Sequence, residues 1–330
     1  MSLSSDMTSM KTEQASLSAI LRKYGLFMGL IFLNSKILIY VFYYLMAAVL
    51  QGLPSFEAPY PDDYYSLLLL TNELSAYLVP LLSALILFRK NCEEAPKGEY
   101  RRFPGESILI FISGIAVASF GTMAMSFITN LFNRLFNTPL PAAAFSDAMP
   151  GNVFQFIIFL ICTVIIAPLC EEVIFRKLLL FPLRKYGDFP AVLLSAVIFA
   201  LYHGNLDQLP YAVIAGFFFG IVAVRANSII PTIILHAINN LLVAVVSYMP
   251  KNIFGDKSYH LNMAADIISA VSFFLTLIIP LGVIFAVILG ILKVYRLNNP
   301  SALSGSEKLR CFYTSIPFLA GLFAMLLLFF

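Results

Sequence analysis

Residues 153–183 read VFQFIIFLICTVIIAPLCEEVIFRKLLLFPL, an apolar stretch with two glutamates and an arginine in its second half. About 20 consecutive apolar residues are enough for a helix to cross the ~30 Å hydrocarbon core of a bilayer. This stretch is longer than that, and the basic pair Arg184 and Lys185 follows it. It therefore predicts a transmembrane helix that carries ionisable groups inside the membrane.

The composition of the whole chain extends this prediction. Of its 330 residues, 60% are hydrophobic and 12% are charged, and the mean hydropathy is +0.88. Soluble domains carry about 25% charged residues, because much of their surface faces water. Soluble, disordered and coiled-coil proteins are thus excluded, and the continuous apolar stretches disfavour a β-barrel. The expected fold class is all-α, a polytopic transmembrane helical bundle.

Eight or nine apolar stretches are predicted to span the membrane, the count depending on whether the short fifth and sixth both do so. They cover about residues 26–50, 66–88, 107–131, 153–183, 189–203, 209–224, 229–248, 265–292 and 312–330. The loop 51–65 has no Lys or Arg, whereas the loop 89–105 has five. By the positive-inside rule, the N-terminus of this multi-pass cell-membrane protein is expected in the cytoplasm.

Polar side chains inside three of these stretches form the candidate site, because ionisable groups are costly in lipid and mark functional positions. Together with one phenylalanine they are Glu171, Glu172, Arg176, Phe199, His203, His236 and Asn240. Residues four apart share a helix face, so Glu172 is expected to pair with Arg176. Glu171 is rotated by about 100° from Glu172 and can point at a different partner. Pro168 is expected to open or kink the helix one turn earlier.

These residue types are suited to hydrolysis of an amide bond by water. A carboxylate among apolar side chains can act as a general base near neutral pH. A neighbouring histidine can share the proton of the water and pass it to the leaving amine. A histidine and an asparagine on one face can donate hydrogen bonds to a developing oxyanion. Serine nucleophile elbows and HExxH zinc motifs are absent from the sequence.

The three motifs resemble those of the CPBP (Abi) family of intramembrane proteases, which are EExxxR, FxxxH and HxxxN. Here they occur in that order over about 70 residues. The resemblance implies a catalytic core at 151–250, flanked by variable transmembrane helices at 1–150 and further transmembrane helices at 251–330. It also implies a hydrophilic cavity open to the cytosol.

The resemblance further implies a role for each motif residue. Glu171 and His203 would activate the attacking water, and His236 with Asn240 would form the oxyanion site. The supporting residues would be Glu172, Arg176 and Phe199, with no metal and no cofactor. The implied substrate is a peptide or protein segment, such as a prenylated CAAX tail or a bacteriocin-like peptide. The lipid bilayer is the other expected partner, no nucleic acid is expected, and the oligomeric state is not predicted.

Two alternatives stay open at this point. Glu171, His203 and His236 are suitable ligand types for a catalytic zinc ion, so a zinc-dependent membrane peptidase is one of them. Chelator sensitivity would separate it from a metal-free enzyme. The other is a non-catalytic transporter or immunity scaffold, in which the same polar groups line a path for protons or solutes.

Overall fold

The computed structural model describes residues 2–51, 61–93, 105–136, 153–204, 206, 208–252, 282–284, 286–288, 290 and 297–329. Within these ranges the chain forms helices and no strand, which confirms the all-α class. The α-helices are α1 (Ser2–Leu33), α2 (Ile39–Gln51), α3 (Pro61–Glu93), α4 (Gly105–Phe136), α5 (Val153–Leu160), α6 (Ala167–Glu171), α7 (Phe181–Leu183), α8 (Asp188–Tyr202), α9 (Leu209–Ala226), α10 (Ile230–Asn252), α11 (Gly305–Thr314) and α12 (Ile316–Leu326). Short 3₁₀ turns follow α7 at Arg184–Tyr186 and α12 at Leu327–Phe329.

Several of these helices are suited to a membrane. Three runs in the described ranges are long and apolar enough to cross one: Met7–Phe42, Val153–Tyr186 and Leu209–Ala226. The helices α11 and α12 would count as a fourth if the bent pair is one span. The protein is thus a helical membrane bundle. The count of eight or nine spans stays a prediction, because the expected stretch 265–292 and the charged loops lie largely outside the described residues.

The fourth expected span is one continuous helical run, Val153–Tyr186, which we call the core helix. Two of its segments, Ile161–Ile166 and Glu172–Leu180, are π-helical rather than α-helical. In a π-helix each carbonyl accepts from the N–H five residues later, and such turns often occur at functional sites. The opening of the helix that Pro168 predicts is therefore confirmed.

Proline also explains how α10 docks on the core helix. Ala167 donates its N–H to Cys162 O. The next N–H in this pattern would belong to Pro168, which has none, so Thr163 O is left without a donor from its own helix. Asn240 Nδ2 donates to Thr163 O at 2.9 Å. The missing N–H of one helix is thus replaced by a side chain of another.

The same arrangement recurs at two other prolines. Lys177 O, five residues before Pro182, accepts from Cys92 Sγ at 3.3 Å. On α3, Pro80 lies inside the helix, and the Tyr202 hydroxyl donates to the carbonyl four residues before it, that of Ala76. These contacts fix α3 against both the core helix and the end of α8.

The contact between α8 and α9 depends on glycine. A Cβ at Gly216 would lie 2.9 Å from the Phe199 ring, and one at Gly220 would lie 2.9 Å from a methyl group of Val192. The Gly-xxx-Gly spacing predicts such close packing, because small residues let helices approach in a membrane. The described geometry confirms it.

The first expected span, at about 26–50, begins too late. The apolar helical run is Met7–Phe42, and Leu17, Ile20 and Tyr24 are buried. Their spacing of three and four residues gives the polar-looking N-terminal segment one apolar face, which packs in the core.

The last expected span, at about 312–330, is not one straight helix. Ser315 is extended, and α11 and α12 meet at a bend of 72°. Pro317 provides the physical reason. Its ring and its missing N–H prevent the helix from continuing across this point.

Candidate active site

The motif side chains meet where the core helix, α8 and α10 come together. Four of them are almost completely buried: the exposed fraction is 5% for Glu171, 0% for Glu172, 0% for Arg176 and 4% for His236. His203 and Asn240 are partly exposed. The three helices predicted from the sequence thus form the site, and its charged side chains lie at its buried end.

The predicted pair of Glu172 and Arg176 is confirmed, with 3.2 Å between Glu172 Oε2 and Arg176 Nε. The guanidinium carbon of Arg176 lies 4.6 Å from the ring centre of Phe199 and 5.9 Å from that of Phe219. Arg176 Nη2 also donates to Gly216 O at 3.4 Å. A buried charge costs several kcal/mol (~3–5) when its partner is removed, and aromatic faces attract a cation. The phenylalanine of the FxxxH motif thus covers the arginine of the EExxxR motif.

His236 lies between the two glutamates. Its Nδ1 is 3.0 Å from Glu172 Oε1, and its Nε2 is 3.6 Å from Glu171 Oε2. The Phe219 ring stacks on the imidazole at 5.0 Å between centroids. The two glutamates therefore share a partner, although their rotation about the helix suggested separate ones. The change from α- to π-helix at Glu172 alters that rotation.

Glu171 also has a partner of its own, because the Tyr77 hydroxyl donates to Glu171 Oε1 at 3.0 Å. The cluster thus holds two carboxyl groups, one arginine and one imidazole within direct contact of each other. A buried carboxyl group that is held by defined polar partners is a candidate general base, so Glu171 is suited to that role.

His203 ends α8 with a defined hydrogen bond. Its Nδ1 lies 2.9 Å from Phe199 O, and a ring nitrogen that faces a carbonyl carries the proton. Its Nε2 is then an acceptor. Among the described side chains, His203 has no direct hydrogen bond or ion pair with Glu171. The Phe199 ring lies between the two histidines, 4.8 Å from His203 and 6.0 Å from His236.

Asn240 is held by a chain of amides. Its Nδ2 donates to Thr163 O, and its Oδ1 accepts from Asn239 Nδ2 at 3.2 Å. The Tyr211 hydroxyl in turn donates to Asn239 Oδ1 at 2.5 Å. One N–H of the Asn240 amide remains beyond the bond to Thr163, and its direction is fixed.

Four residues of this site were missed from the sequence: Tyr77, Tyr211, Phe219 and Asn239. Asn239 carried a signal, because a second amide next to Asn240 in an apolar stretch needs a buried partner. The aromatic run 217–219 indicates a lipid-facing or helix-packing surface, and its last residue, Phe219, packs on His236 and Arg176. The tyrosines gave no local signal.

The zinc alternative can be compared with the described geometry. In the part of the chain that the structure describes, no group of three or more His, Cys, Asp or Glu side chains is placed to hold a metal ion. The four cysteines all lie in the described residues, and no disulfide joins them.

Comparison with known proteins agrees with the motifs. Residues 153–242, a range that begins with the core helix and contains every motif residue, match the family described as type II CAAX prenyl endopeptidase Rce1-like. The chain is also 27% identical over 176 residues to "Putative membrane peptidase YdiL" of Bacillus subtilis (strain 168), across 53% of this chain and 70% of that protein. No solved structure matches. Both matches support the CPBP/CAAX protease family that the motifs resemble.

Proposed function

We propose that the chain is an intramembrane endopeptidase in which Glu171 and His203 activate a water molecule for attack on a peptide bond. One observation carries the proposal. The carboxyl group of Glu171 is almost completely buried, yet it is surrounded by the Tyr77 hydroxyl and the His236 imidazole. Burial of such an array in a membrane protein is costly and indicates a function.

The proposed reaction uses the groups in sequence. A water between Glu171 and His203 gives its proton to the Glu171 carboxylate, and the hydroxide attacks the carbonyl carbon. The resulting oxyanion accepts a hydrogen bond from the remaining N–H of Asn240. The C–N bond then breaks as the leaving amine takes this proton, which passes from Glu171 through His203 Nε2, and Glu171 returns to its carboxylate form. Glu172 and Arg176 hold His236 and the helix in place.

Access to the site is from its partly exposed side. His203 and Asn240 lie there, whereas Glu172 and Arg176 close the opposite side. We propose a peptide or protein segment as the substrate, with prenylated CAAX peptides as the first class to test, since the matched family is described by that activity. The excess of Lys and Arg in loop 89–105 supports a cytoplasmic N-terminus and a site open to the cytosol.

The test is cleavage of prenylated and unprenylated peptides by the purified protein in detergent, with and without a strong chelator. Glu171→Gln and His203→Ala are expected to lower cleavage by about 10²–10⁴-fold, because each removes a proton-transfer group. Cys170→Ala, at the adjacent position, should cleave like the wild type and serves as the control.

The outcomes separate the alternatives. Full activity of Glu171→Gln would overturn the proposal. Loss of wild-type activity in chelator would replace it with the zinc enzyme. Loss of activity in Cys170→Ala would indicate a thiol nucleophile. Thermal unfolding of each variant shows whether a loss of cleavage reflects a loss of fold.

A further inference from the structure

We propose that Tyr77 is a positioning residue for Glu171: its hydroxyl fixes the orientation of the carboxylate that accepts the proton of the attacking water. This inference rests on the proposed function. It adds a component from α3, which lies outside the range 153–242 that matches the family.

The contacts of Glu171 carry the inference. Oε1 accepts from the Tyr77 hydroxyl at 3.0 Å, and Oε2 lies 3.6 Å from His236 Nε2. One oxygen thus accepts from the Tyr77 hydroxyl and the other lies beside the His236 ring, so rotation of the carboxylate would lose the hydrogen bond to Tyr77. Each oxygen also keeps a lone pair with which it can accept from a water. The carboxylate is therefore held in one orientation while it remains able to act as a base.

The position of Tyr77 is itself held by its two preceding residues. Asn34 Nδ2 donates to Ser75 O at 2.8 Å, and Ser75 Oγ donates to Asn34 Oδ1 at 3.0 Å; both side chains are buried. The next carbonyl, that of Ala76, accepts from the Tyr202 hydroxyl. Three consecutive residues of α3 thus make polar contacts with other helices, and the third of them, Tyr77, contacts Glu171.

A specific consequence follows for the kinetics. A carboxylate that is no longer held in one orientation accepts the proton of the water more slowly, whereas substrate binding does not depend on it. The loss of Tyr77 should therefore lower kcat and leave KM almost unchanged.

The experiment compares two variants that each lose one hydroxyl group from a contact made by α3. Tyr77→Phe removes the hydroxyl that touches Glu171, and Tyr202→Phe removes the hydroxyl that docks α3 on α8. We expect kcat to fall about tenfold in Tyr77→Phe with little change in KM, as for loss of a hydrogen bond to a charged group. Tyr202→Phe should lower the unfolding temperature, and its loss of kcat should be smaller than that of Tyr77→Phe, because the hydroxyl that contacts Glu171 is still present.

The failure of this inference is distinguishable from failure of the proposed function. If Glu171→Gln abolishes cleavage while Tyr77→Phe keeps the wild-type kcat or loses no more than Tyr202→Phe, Tyr77 has no positioning role and the protease assignment stands. A second readout needs no cleavage: infrared difference spectra show the carboxylate bands that Glu171→Gln removes. A shift of these bands in Tyr77→Phe but not in Tyr202→Phe supports the inference, and identical bands in both variants overturn it.

Discussion

The site on the core helix and the crossing of α1 with α12 are both buried, and they are held together by opposite means. At the site, ion pairs and side-chain hydrogen bonds join the helices. At the crossing, the backbones themselves touch: a Cβ at Gly321 would lie 2.4 Å from Gly25 O. Apolar side chains gain little by leaving lipid, so close backbone approach provides the attraction there. Polar side chains thus join the helices where chemistry is proposed, and close backbone packing at the crossing supplies assembly.

The largest effect is expected when one charged group is removed from the site on the core helix. Glu172→Ala leaves Arg176 buried without its carboxylate and removes the acceptor of His236 Nδ1. We expect the free energy of unfolding to fall by about 3–5 kcal/mol, as for a broken buried pair. Denaturant titration in detergent micelles measures it. Glu172→Gln keeps an acceptor and should lose less, and equal losses in both variants would contradict the charge argument.

Two carbonyl groups of the core helix lie five residues before a proline and accept a hydrogen bond from another helix. Removing each donor in turn compares the site with the rest of the bundle. Asn240→Ala removes the donor to Thr163 O, and Cys92→Ala removes the donor to Lys177 O on the same core helix. Asn240→Ala should lower kcat by about 10²–10³-fold, because it also removes a proposed oxyanion donor. Cys92→Ala should leave kcat unchanged. Steady-state kinetics test this, and an equal loss in both variants would assign Asn240 a docking role only.

The polar region could largely be predicted from the sequence. Ionisable residues are rare in apolar stretches because they are costly there, so each one carries information about function. The core helix, the Glu172–Arg176 pair and the convergence of three helices all followed from this. The catalytic roles themselves stay predictions that the experiments above decide.

The remaining contacts depend on which helices become neighbours, and local patterns do not encode that. Tyr77 is one of 16 tyrosines in the chain, and its value comes from the anchors at Ser75 and Ala76. The crossing joins Gly25 to Gly321, near opposite ends of the sequence, and glycines inside apolar stretches have many uses. Only the break at Pro317 had a local signal, because a proline interrupts the helix whatever packs against it.

The smallest effect is expected at the crossing of α1 with α12. Two glycines one helical turn apart on α1 allow it to be tested. A Cβ at Gly25 would lie 2.0 Å from Pro317 O, whereas one at Gly29 meets nothing within 4 Å. Gly25→Ala should therefore lower the free energy of unfolding by about 1–3 kcal/mol, since the backbone of α12 must shift. Gly29→Ala should leave it unchanged or raise it by up to ~1 kcal/mol, because alanine favours a helix. Denaturant titration measures both, and neither variant should shift the pH profile of cleavage at temperatures where it is folded. A change of that profile in Gly25→Ala would mean that the crossing is coupled to the site, and the separation of assembly from chemistry would then be wrong.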